Sequence, residues 1–387
     1  MDRITGATVD PDLYGAGKDG FREGSPGVSP ATIVTKEWLN SLQEEICTVI
    51  ERSGGTLAVG SNDQLYDAII ETSGLRAIGV AIASHASRTA PASVNYRKVA
   101  YGAADAIFVA TNDGASSPHT SPDGVTWTSR SVTALNDVCY AQGRFLCVGP
   151  SAALVTSENG TSYTARTVGG GFAGTFYCCA GSSSVFIAAG TNGEIQTSAD
   201  GTSGWTHRTA ASGFTGTWYG ACYTRAQIFV LVGFSAPDVI AIQTSSDNGV
   251  TWVSRTPSDL NGGVYDVARG LDIEDVWIAV GLSVASGPNL IMRSVDDGVT
   301  WTTITAPAGH TDGYAAVEYY DAGHIFVAVG VNGKIAVSRD GSEGTWRDIS
   351  RASFTSLLNG LAFGDGTCVL AGNSSALRQS LAFPWNE

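Results

Sequence analysis

The sequence predicts a mainly β fold: a seven-bladed β-propeller with four-stranded blades, preceded by a small two-helix N-terminal domain. A short pattern ending in tryptophan recurs along the chain, and its two fullest copies are Ser245–Trp252 and Ser294–Trp301. Each copy lies between two β-type runs, which is typical of a tight turn joining two strands. Hydrophobic runs that end in glycine recur in step with these turns, roughly every 36 to 49 residues, and four short strands per repeat at this spacing indicate propeller blades.

The composition agrees with many short strands and turns. The chain has 387 residues and 48 glycines, which is more than a single core usually holds, so repeats are expected. The formal net charge of −14 argues against a nucleic-acid partner, because phosphate binding relies on a basic surface. No apolar run approaches the roughly 20 residues of a membrane-spanning helix, and Met1–Ile4 begins no secretory signal, so we expect no membrane insertion.

Seven cysteines are present, and six of them fall in apolar, strand-like runs. These six are Cys139, Cys147, Cys178, Cys179, Cys222 and Cys368. We interpret them as small buried side chains of a protein made in a reducing cytosol rather than as a disulfide framework. Since no pair of cysteines has the spacing of a zinc site, we expect neither a metal nor another cofactor.

Residues 1–75 form a separate segment. Residues 1–34 are rich in glycine, proline and aspartate and predict an extended arm. From Thr35 to Gly54-Gly55 apolar residues recur at helical spacing, and a second short helix is predicted from Ser61 to about Thr72. Two short helices and an arm bury little apolar surface alone, so we expect this segment to fold against copies of itself or a partner.

Several short blocks in this segment occur in the order found in a known group of proteins. They are Met1–Ile4, Asp12–Phe21, Pro30-Ala31-Thr32 and Glu37–Glu45. With these blocks the segment resembles the start of the tail-fibre proteins of tailed bacteriophages and prophages. The resemblance implies a virion component, assembled in the host cytoplasm, whose residues 1–75 attach it to other tail or baseplate proteins, commonly as a homotrimer.

Residues 76–387 contain seven repeat units. The last unit, 358–387, has its first run at Leu358–Phe363 and lacks a clear fourth strand. Residues Ser84–Thr89 resemble the fourth strands of other units, such as Trp252–Thr256, yet no strand precedes them. We therefore predict that residues near 81–90 complete the last blade, which would close the ring with both chain ends and remove its unpaired edges.

The recurring turn resembles the Asp-box (BNR repeat) of sialidase-like propellers. In those families the motif stabilises the turn between third and fourth strands, away from the ligand. A carboxylate can accept hydrogen bonds from turn amides while the aromatic ring packs between blades. The residues to which we assign this structural role are Asp123, Asn159, Asp200, Asp247, Asp296, Asp340, Trp127, Trp252 and Trp301.

The candidate ligand-binding residues lie outside the turn motif. Aromatic residues on glycine-flanked loops between blades could stack on a sugar ring or fold back into the core. They are Phe172, Phe176, Phe214, Trp218 and Phe354. Arginine recurs three residues after the motif aromatic, where it could contact an anionic polysaccharide or be a solvated surface charge. These positions are Arg130, Arg166, Arg208 and Arg255, with Arg88 in the matching place of the closing strand.

No catalytic constellation is visible in the sequence. Asp137, Asp266 and Glu318 are acidic residues near inner strands, but the sequence alone does not pair them as a glycosidase requires. We therefore expect a structural tail protein that presents a propeller for recognition of a host-surface glycan, and not an enzyme. The alternatives are a purely architectural virion protein and a polysaccharide-degrading glycoside hydrolase.

Overall fold

The computed structural model describes residues 9–10, 20–21, 36–52, 65, 81–82, 84–114, 117–223, 228–236, 238–255, 262–270, 276–282 and 290–380. The chain divides into two compact units, Met1–Arg76 and Ala77–Glu387.

The first unit contains one long helix, α1 (Lys36–Arg52), and a short antiparallel pair of strands, β1 (Val9–Asp10) and β2 (Gly20–Phe21). Helix α1 occupies the stretch in which apolar residues recur at helical spacing, and it exposes Leu39. The predicted second helix and most of the predicted arm lie outside the described residues. None of the helices in the described part of the chain is long and apolar enough to cross a membrane.

The second unit is a seven-bladed β-propeller, as the sequence predicts. Its described residues form seven four-stranded antiparallel sheets. Blade 1 consists of β4 (Tyr96–Gly102), β5 (Ile107–Asn112), β6 (His119–Ser121) and β7 (Thr128–Ser129). Blade 2 consists of β8 (Asp137–Ala141), β9 (Arg144–Val148), β10 (Leu154–Ser157) and β11 (Thr164–Ala165). Blade 3 consists of β12 (Phe176–Gly181), β13 (Phe186–Gly190), β14 (Ile195–Ser198) and β15 (Thr206–Arg208).

The remaining blades follow in chain order. Blade 4 consists of β16 (Thr217–Tyr223), β17 (Phe229–Ser235), β18 (Val239–Ser245) and β19 (Val253–Ser254). Blade 5 consists of β20 (Gly263–Arg269), β21 (Trp277–Leu282), β22 (Leu290–Ser294) and β23 (Thr302–Ile304). Blade 6 consists of β24 (Tyr314–Tyr320), β25 (Ile325–Gly330), β26 (Ile335–Ser338) and β27 (Arg347–Asp348). Blade 7 consists of β28 (Leu358–Gly364), β29 (Thr367–Gly372), β30 (Leu377–Gln379) and β3 (Ala86–Arg88).

Strand β3 precedes blade 1 in the chain and closes the ring as the fourth strand of blade 7. It pairs antiparallel with β30, with Ala86 opposite Gln379 and Arg88 opposite Leu377. Nε and Nη2 of Arg88 donate to Oε1 of Gln379 at 3.1 and 2.7 Å. The first strand of blade 7 in turn contacts the first strand of blade 1. The outer strand of the last blade is therefore supplied from the region predicted for it.

The hydrophobic core lies between blades. Each cluster of buried side chains combines two neighbouring blades; Trp127 of blade 1, for example, belongs to the same cluster as Val369 and Leu377 of blade 7. Strands covered on both faces by neighbouring sheets need apolar side chains on both faces, which explains the continuous hydrophobic runs in the sequence.

The Ser-x-Asp turns have the contacts expected of them. In blade 5, Oδ1 of Asp296 accepts hydrogen bonds from the Thr300 amide and the Ser294 hydroxyl, each at 2.8 Å. The Trp301 indole donates to the Gly298 carbonyl at 2.9 Å, and Asp247 and Trp252 repeat these contacts in blade 4. In the divergent copy of blade 2, the Tyr163 hydroxyl replaces the indole as donor to the turn carbonyl. The turn residues thus stabilise the reversal of the backbone between the third and fourth strands of these blades.

Candidate functional site

The first strands of the seven blades line a cavity at the centre of the propeller. Its volume is about 600 Å³, and all seven first strands contribute residues to its wall. This volume is within the range of small-molecule binding sites. Four charged side chains of the first strands line it, from four of the seven blades: Lys98 of blade 1, Asp137 of blade 2, Asp266 of blade 5 and Glu318 of blade 6.

A recurring irregularity places these charges. In six blades the pairing of first and second strands shifts register near the start of the first strand; in blade 5 the shift lies between Val264 and Asp266. Such bulges re-aim side chains. Lys98 lies within the irregularity of blade 1, between Tyr96 and Val99, and Asp266 directly follows that of blade 5; both residues line the cavity.

Lys98 and Asp266 form an ion pair across the ring. Nζ of Lys98 lies 2.6 Å from Oδ2 of Asp266, and each side chain is less than one-fifth exposed. Oδ2 of Asp266 also accepts the Val317 amide of the next blade at 3.2 Å. Burial favours the neutral amine of Lys98, but the neighbouring carboxylates outweigh it and raise its pKa. Lys98 is therefore held as an ammonium ion at neutral pH.

The other two carboxyl groups of the cavity, those of Asp137 and Glu318, are less well stabilised in their charged form. Oδ1 and Oδ2 of Asp137 accept the amides of Val138 and Cys179 at 2.7 and 2.8 Å, yet burial raises the pKa of Asp137 to about 6. Glu318 is exposed to the cavity lumen but enclosed by the surrounding strands, and burial together with the nearby Asp266 charge raises its pKa to about 8. The cavity therefore contains more acidic groups than its single ammonium ion neutralises.

Two glycines allow the first strands to approach closely beside these charges. A Cβ at Gly220 would lie 2.7 Å from Cα of Asp266, and one at Gly360 would lie 2.8 Å from Cα of Lys98. Any side chain at these two positions would push apart the strands that carry the ion pair.

The sequence identified the three acidic residues but neither their juxtaposition nor Lys98. A signal was present: Lys98-Val99, Asp137-Val138 and Asp266-Val267 occupy matching places in their first strands. Aligning the repeats on the ends of their second strands, with Asn112 of blade 1 in the place of the glycine of the other blades, would have brought these charges into one layer of the ring.

Aromatic rings surround the cavity at the ends of the first strands. Tyr101, Tyr140, Tyr320 and Phe363 contribute to the wall there, and the rings of Tyr320 and Phe363 stack with centroids 4.7 Å apart. In an antiparallel blade the first-to-second and third-to-fourth connections lie on the same side. This rim therefore belongs to the side of the propeller that carries the Ser-x-Asp turns.

A second group of rings lies at the opposite ends of the first strands. We call Tyr177, Tyr219, Phe234 and Tyr265 the aromatic patch. Tyr219 contacts each of the other three, with centroid distances of 5.1 Å to Tyr177, 4.9 Å to Phe234 and 5.2 Å to Tyr265. All four side chains are partly exposed. The patch joins blades 3, 4 and 5 on the side away from the Ser-x-Asp turns.

The aromatic residues predicted as ligand contacts are mostly part of the core. Phe176 and Trp218 are fully buried, and Phe354 is buried against His85 with the guanidinium of Arg378 4.3 Å from its ring centroid. Neighbouring side chains cover these three rings, which agrees with the alternative that they fold back into the core.

Phe172 and Phe214 are half-buried and fold back onto the core. Phe172 packs on Phe176 with centroids 4.8 Å apart, and Phe214 packs on Trp218 at 4.3 Å. In each loop the residue directly after the buried ring, Tyr177 or Tyr219, belongs to the aromatic patch. Each of these loops therefore carries a predicted ring that packs on the core and, directly after the buried ring, a partly exposed tyrosine.

The predicted arginines are half-buried on the outer parts of the blades. Each uses Nε to donate to a threonine hydroxyl of the adjacent third strand. The pairs are Arg130–Thr120 at 2.8 Å, Arg166–Thr156 at 2.8 Å, Arg208–Thr197 at 2.9 Å and Arg255–Thr244 at 3.1 Å. These side chains link the third and fourth strands, and the structure does not bring them together with the aromatic patch.

The seven cysteines are free thiols. Burial raises the pKa of Cys147, Cys178 and Cys179 well above the ordinary value. In the described part of the chain no three His, Cys, Asp or Glu side chains are grouped so as to hold a metal ion.

Comparison with known proteins finds a relative of one part of the chain and solved structures that share its fold. No family model matches the sequence. A stretch of 70 residues, 18% of the chain, is 44% identical to the uncharacterized protein StfP of Escherichia coli (strain K12), and the match spans 34% of that protein. The chain thus spans about one-third of the length of this relative.

The solved structures that resemble the chain are propellers of low sequence identity. YCF48 from Cyanidioschyzon merolae has a TM-score of 0.61 at 12% identity and covers 77% of this chain and 99% of its own. A streptogramin B lyase has a TM-score of 0.63 at 11% identity and covers 76% of this chain and 96% of its own. At these identities the similarity shows the fold alone.

Proposed function

We propose that the protein is a phage tail component that presents its propeller to the host surface and binds a glycan through the aromatic patch. The observation that carries this proposal is the contiguous group of partly exposed rings around Tyr219. The match to StfP is compatible with a phage tail protein. Residues 1–75 would attach the chain to tail or baseplate proteins as a homotrimer.

The chemistry of the patch suits a sugar. Aromatic faces stack on the apolar faces of pyranose rings, and tyrosine adds a hydroxyl that can hydrogen-bond to sugar hydroxyls. The rings already contact one another, so little side-chain entropy is lost when a ligand binds. A single patch of this size would bind weakly, and several copies on one virion would raise the avidity.

The proposal is tested with Tyr219→Ala, which removes the central ring of the patch. Binding of the full chain to a glycan array and adsorption to host cells are measured. We expect at least about a tenfold loss of binding, because an interface centre carries most of the binding energy. The matched control is Tyr223→Ala, which removes a partly exposed tyrosine at the other end of the same strand, β16, and should leave glycan binding unchanged.

The other candidate functions give different results in this experiment. Unchanged adsorption by Tyr219→Ala would overturn the glycan proposal and favour an architectural virion protein. Release of reducing ends when the protein is incubated with host polysaccharide would show hydrolysis instead of simple binding.

A further inference from the structure

The central cavity has properties of a binding site that the aromatic patch does not explain. It lies toward the opposite ends of the first strands and is lined by different residues. We propose that this cavity binds a compact organic cation, a ligand with a protonated primary amine and the size of a hexosamine or a diamine. This inference does not depend on the glycan proposal.

The cavity wall carries more acidic than basic groups. Asp137, Asp266 and Glu318 supply three carboxyl groups, and Lys98 supplies one ammonium group, so full ionisation leaves two negative charges in excess. Asp321 and Asp365 add acidic groups at the rim. A cavity lined by one sign of charge and walled by protein concentrates ions of the opposite sign.

Of the three carboxyl groups, that of Glu318 is the one open to a ligand. Asp266 holds Lys98, and Asp137 uses both oxygens on backbone amides. Glu318 faces the lumen, and burial with a nearby like charge keeps its pKa near 8. An ammonium group placed beside Glu318 would favour its ionised form and relieve that unfavourable charge.

The aromatic rim adds a second feature that suits an organic cation. The stacked rings of Tyr320 and Phe363 and the ring of Tyr101 line the same cavity. Aromatic faces attract organic cations, and this attraction strengthens when the cation is partly desolvated. The cavity of about 600 Å³ accommodates a hexosamine or a diamine. An acidic wall and an aromatic rim together favour an organic amine over a neutral sugar.

The test is calorimetric titration of the full-length protein with glucosamine and 1,4-diaminobutane. N-acetylglucosamine and glucose are the neutral controls of matching shape. We expect at least one of the two amines to bind and neither neutral sugar to do so. At pH 7 binding should release a proton from Glu318, which makes the measured enthalpy depend on the ionisation enthalpy of the buffer.

Substitutions in the cavity wall show whether the amine binds in this cavity. Glu318→Gln should weaken amine binding at least about tenfold and abolish proton release, while Glu158→Gln, on an exposed outer turn, should change neither. Tyr320→Leu is a second variant that leaves all cavity charges in place and should also weaken binding. Tyr219→Ala should not affect the amine, which separates this site from the aromatic patch.

Three results would overturn the proposal. They are the absence of binding by both amines, equal binding of glucosamine and N-acetylglucosamine, and unchanged amine binding in both Glu318→Gln and Tyr320→Leu. Competition of calcium chloride with the amine for a site that is lost in Glu318→Gln would identify a metal site and would also contradict it.

Discussion

Nζ of Lys98 lies 2.6 Å from Oδ2 of Asp266 and joins the first strand of blade 1 to that of blade 5 across the central cavity. Asp137 and Asp266 also accept backbone amides from the next blade, Cys179 and Val317. Charged side chains therefore connect first strands that the outer sheets leave separate. The same groups give the cavity its acidity, so ring stability and ligand chemistry are linked at this site.

Replacing Lys98 should destabilise the propeller. Lys98→Met leaves the partly buried carboxylate of Asp266 without its cation, and removal of one partner of a buried pair costs about 3–5 kcal/mol. The double variant Lys98→Met/Asp266→Asn removes both charges and should recover much of the loss. Urea unfolding at pH 8 measures the effect, and Lys334→Met is the control. Equal stability of wild type and Lys98→Met would contradict the importance of the pair.

The contribution of Glu318 to stability should fall as the pH rises from about 4.5 to about 8. The folded-state pKa of Glu318, about 8, is higher than its ordinary value of 4.5, so the folded protein holds this proton in a range where the unfolded chain has lost it. A proton bound more tightly by the folded state stabilises it at low pH, and this contribution is lost as the pH approaches 8. Asp137, with a pKa of about 6, adds a similar decline at the acidic end.

Glu318→Gln isolates this effect. Glutamine cannot ionise, so the variant should lose less stability than wild type between pH 5 and pH 8, measured as the urea midpoint at several pH values. Glu158→Gln changes an exposed carboxylate on an outer turn and should follow the wild-type curve. Parallel curves for Glu318→Gln and wild type would show that Glu318 does not titrate in this range.

The sequence predicts the blades well because their signals are local. Each glycine-ended run and each turn motif lies within one repeat, and even the closing strand at Ala86–Arg88 carries the pattern of a fourth strand. The site was harder to predict for two physical reasons. Lys98 and Asp266 are 168 residues apart, and no local pattern pairs them. The register shift beside Tyr177 breaks the strict alternation that would tell a buried ring from an exposed one.

The turn glycines also pack closely against the neighbouring blade. Gly341 has φ +68°, and a Cβ there would lie 2.2 Å from Cδ1 of Ile278 in blade 5. Gly341→Ala should therefore cost more than about 2 kcal/mol, from the left-handed backbone and the steric overlap together. Gly344→Ala is the matched control, because its φ is +78° but nothing lies within 4 Å. Equal changes in melting temperature for the two variants would show that the contact with Ile278 does not affect stability.

The full chain should form a homotrimer through residues 1–75. Helix α1 exposes the apolar side chain of Leu39. On a small unit such a side chain is available for contacts with other copies of the chain. Sedimentation equilibrium should give three chains for the full-length protein and one for residues 77–387. A fragment of residues 1–75 that remains monomeric would contradict the prediction.

Closure of the ring should depend on the short strand β3. A chain of residues 77–387 keeps Ala86–Arg88, whereas a chain of residues 91–387 loses it and leaves β30 as an unpaired edge. The shorter chain also loses the contacts of His85, which accepts a hydrogen bond from Nε of Arg378 at 2.6 Å and another at its carbonyl from Nη1 of Arg351 at 2.9 Å.

An open edge exposes backbone groups that pair with other chains. Residues 77–387 should therefore unfold cooperatively, while residues 91–387 should unfold at a lower temperature and aggregate. Light scattering during a thermal scan separates the two outcomes, and equal melting curves without aggregation would mean that blade 7 is stable with three strands.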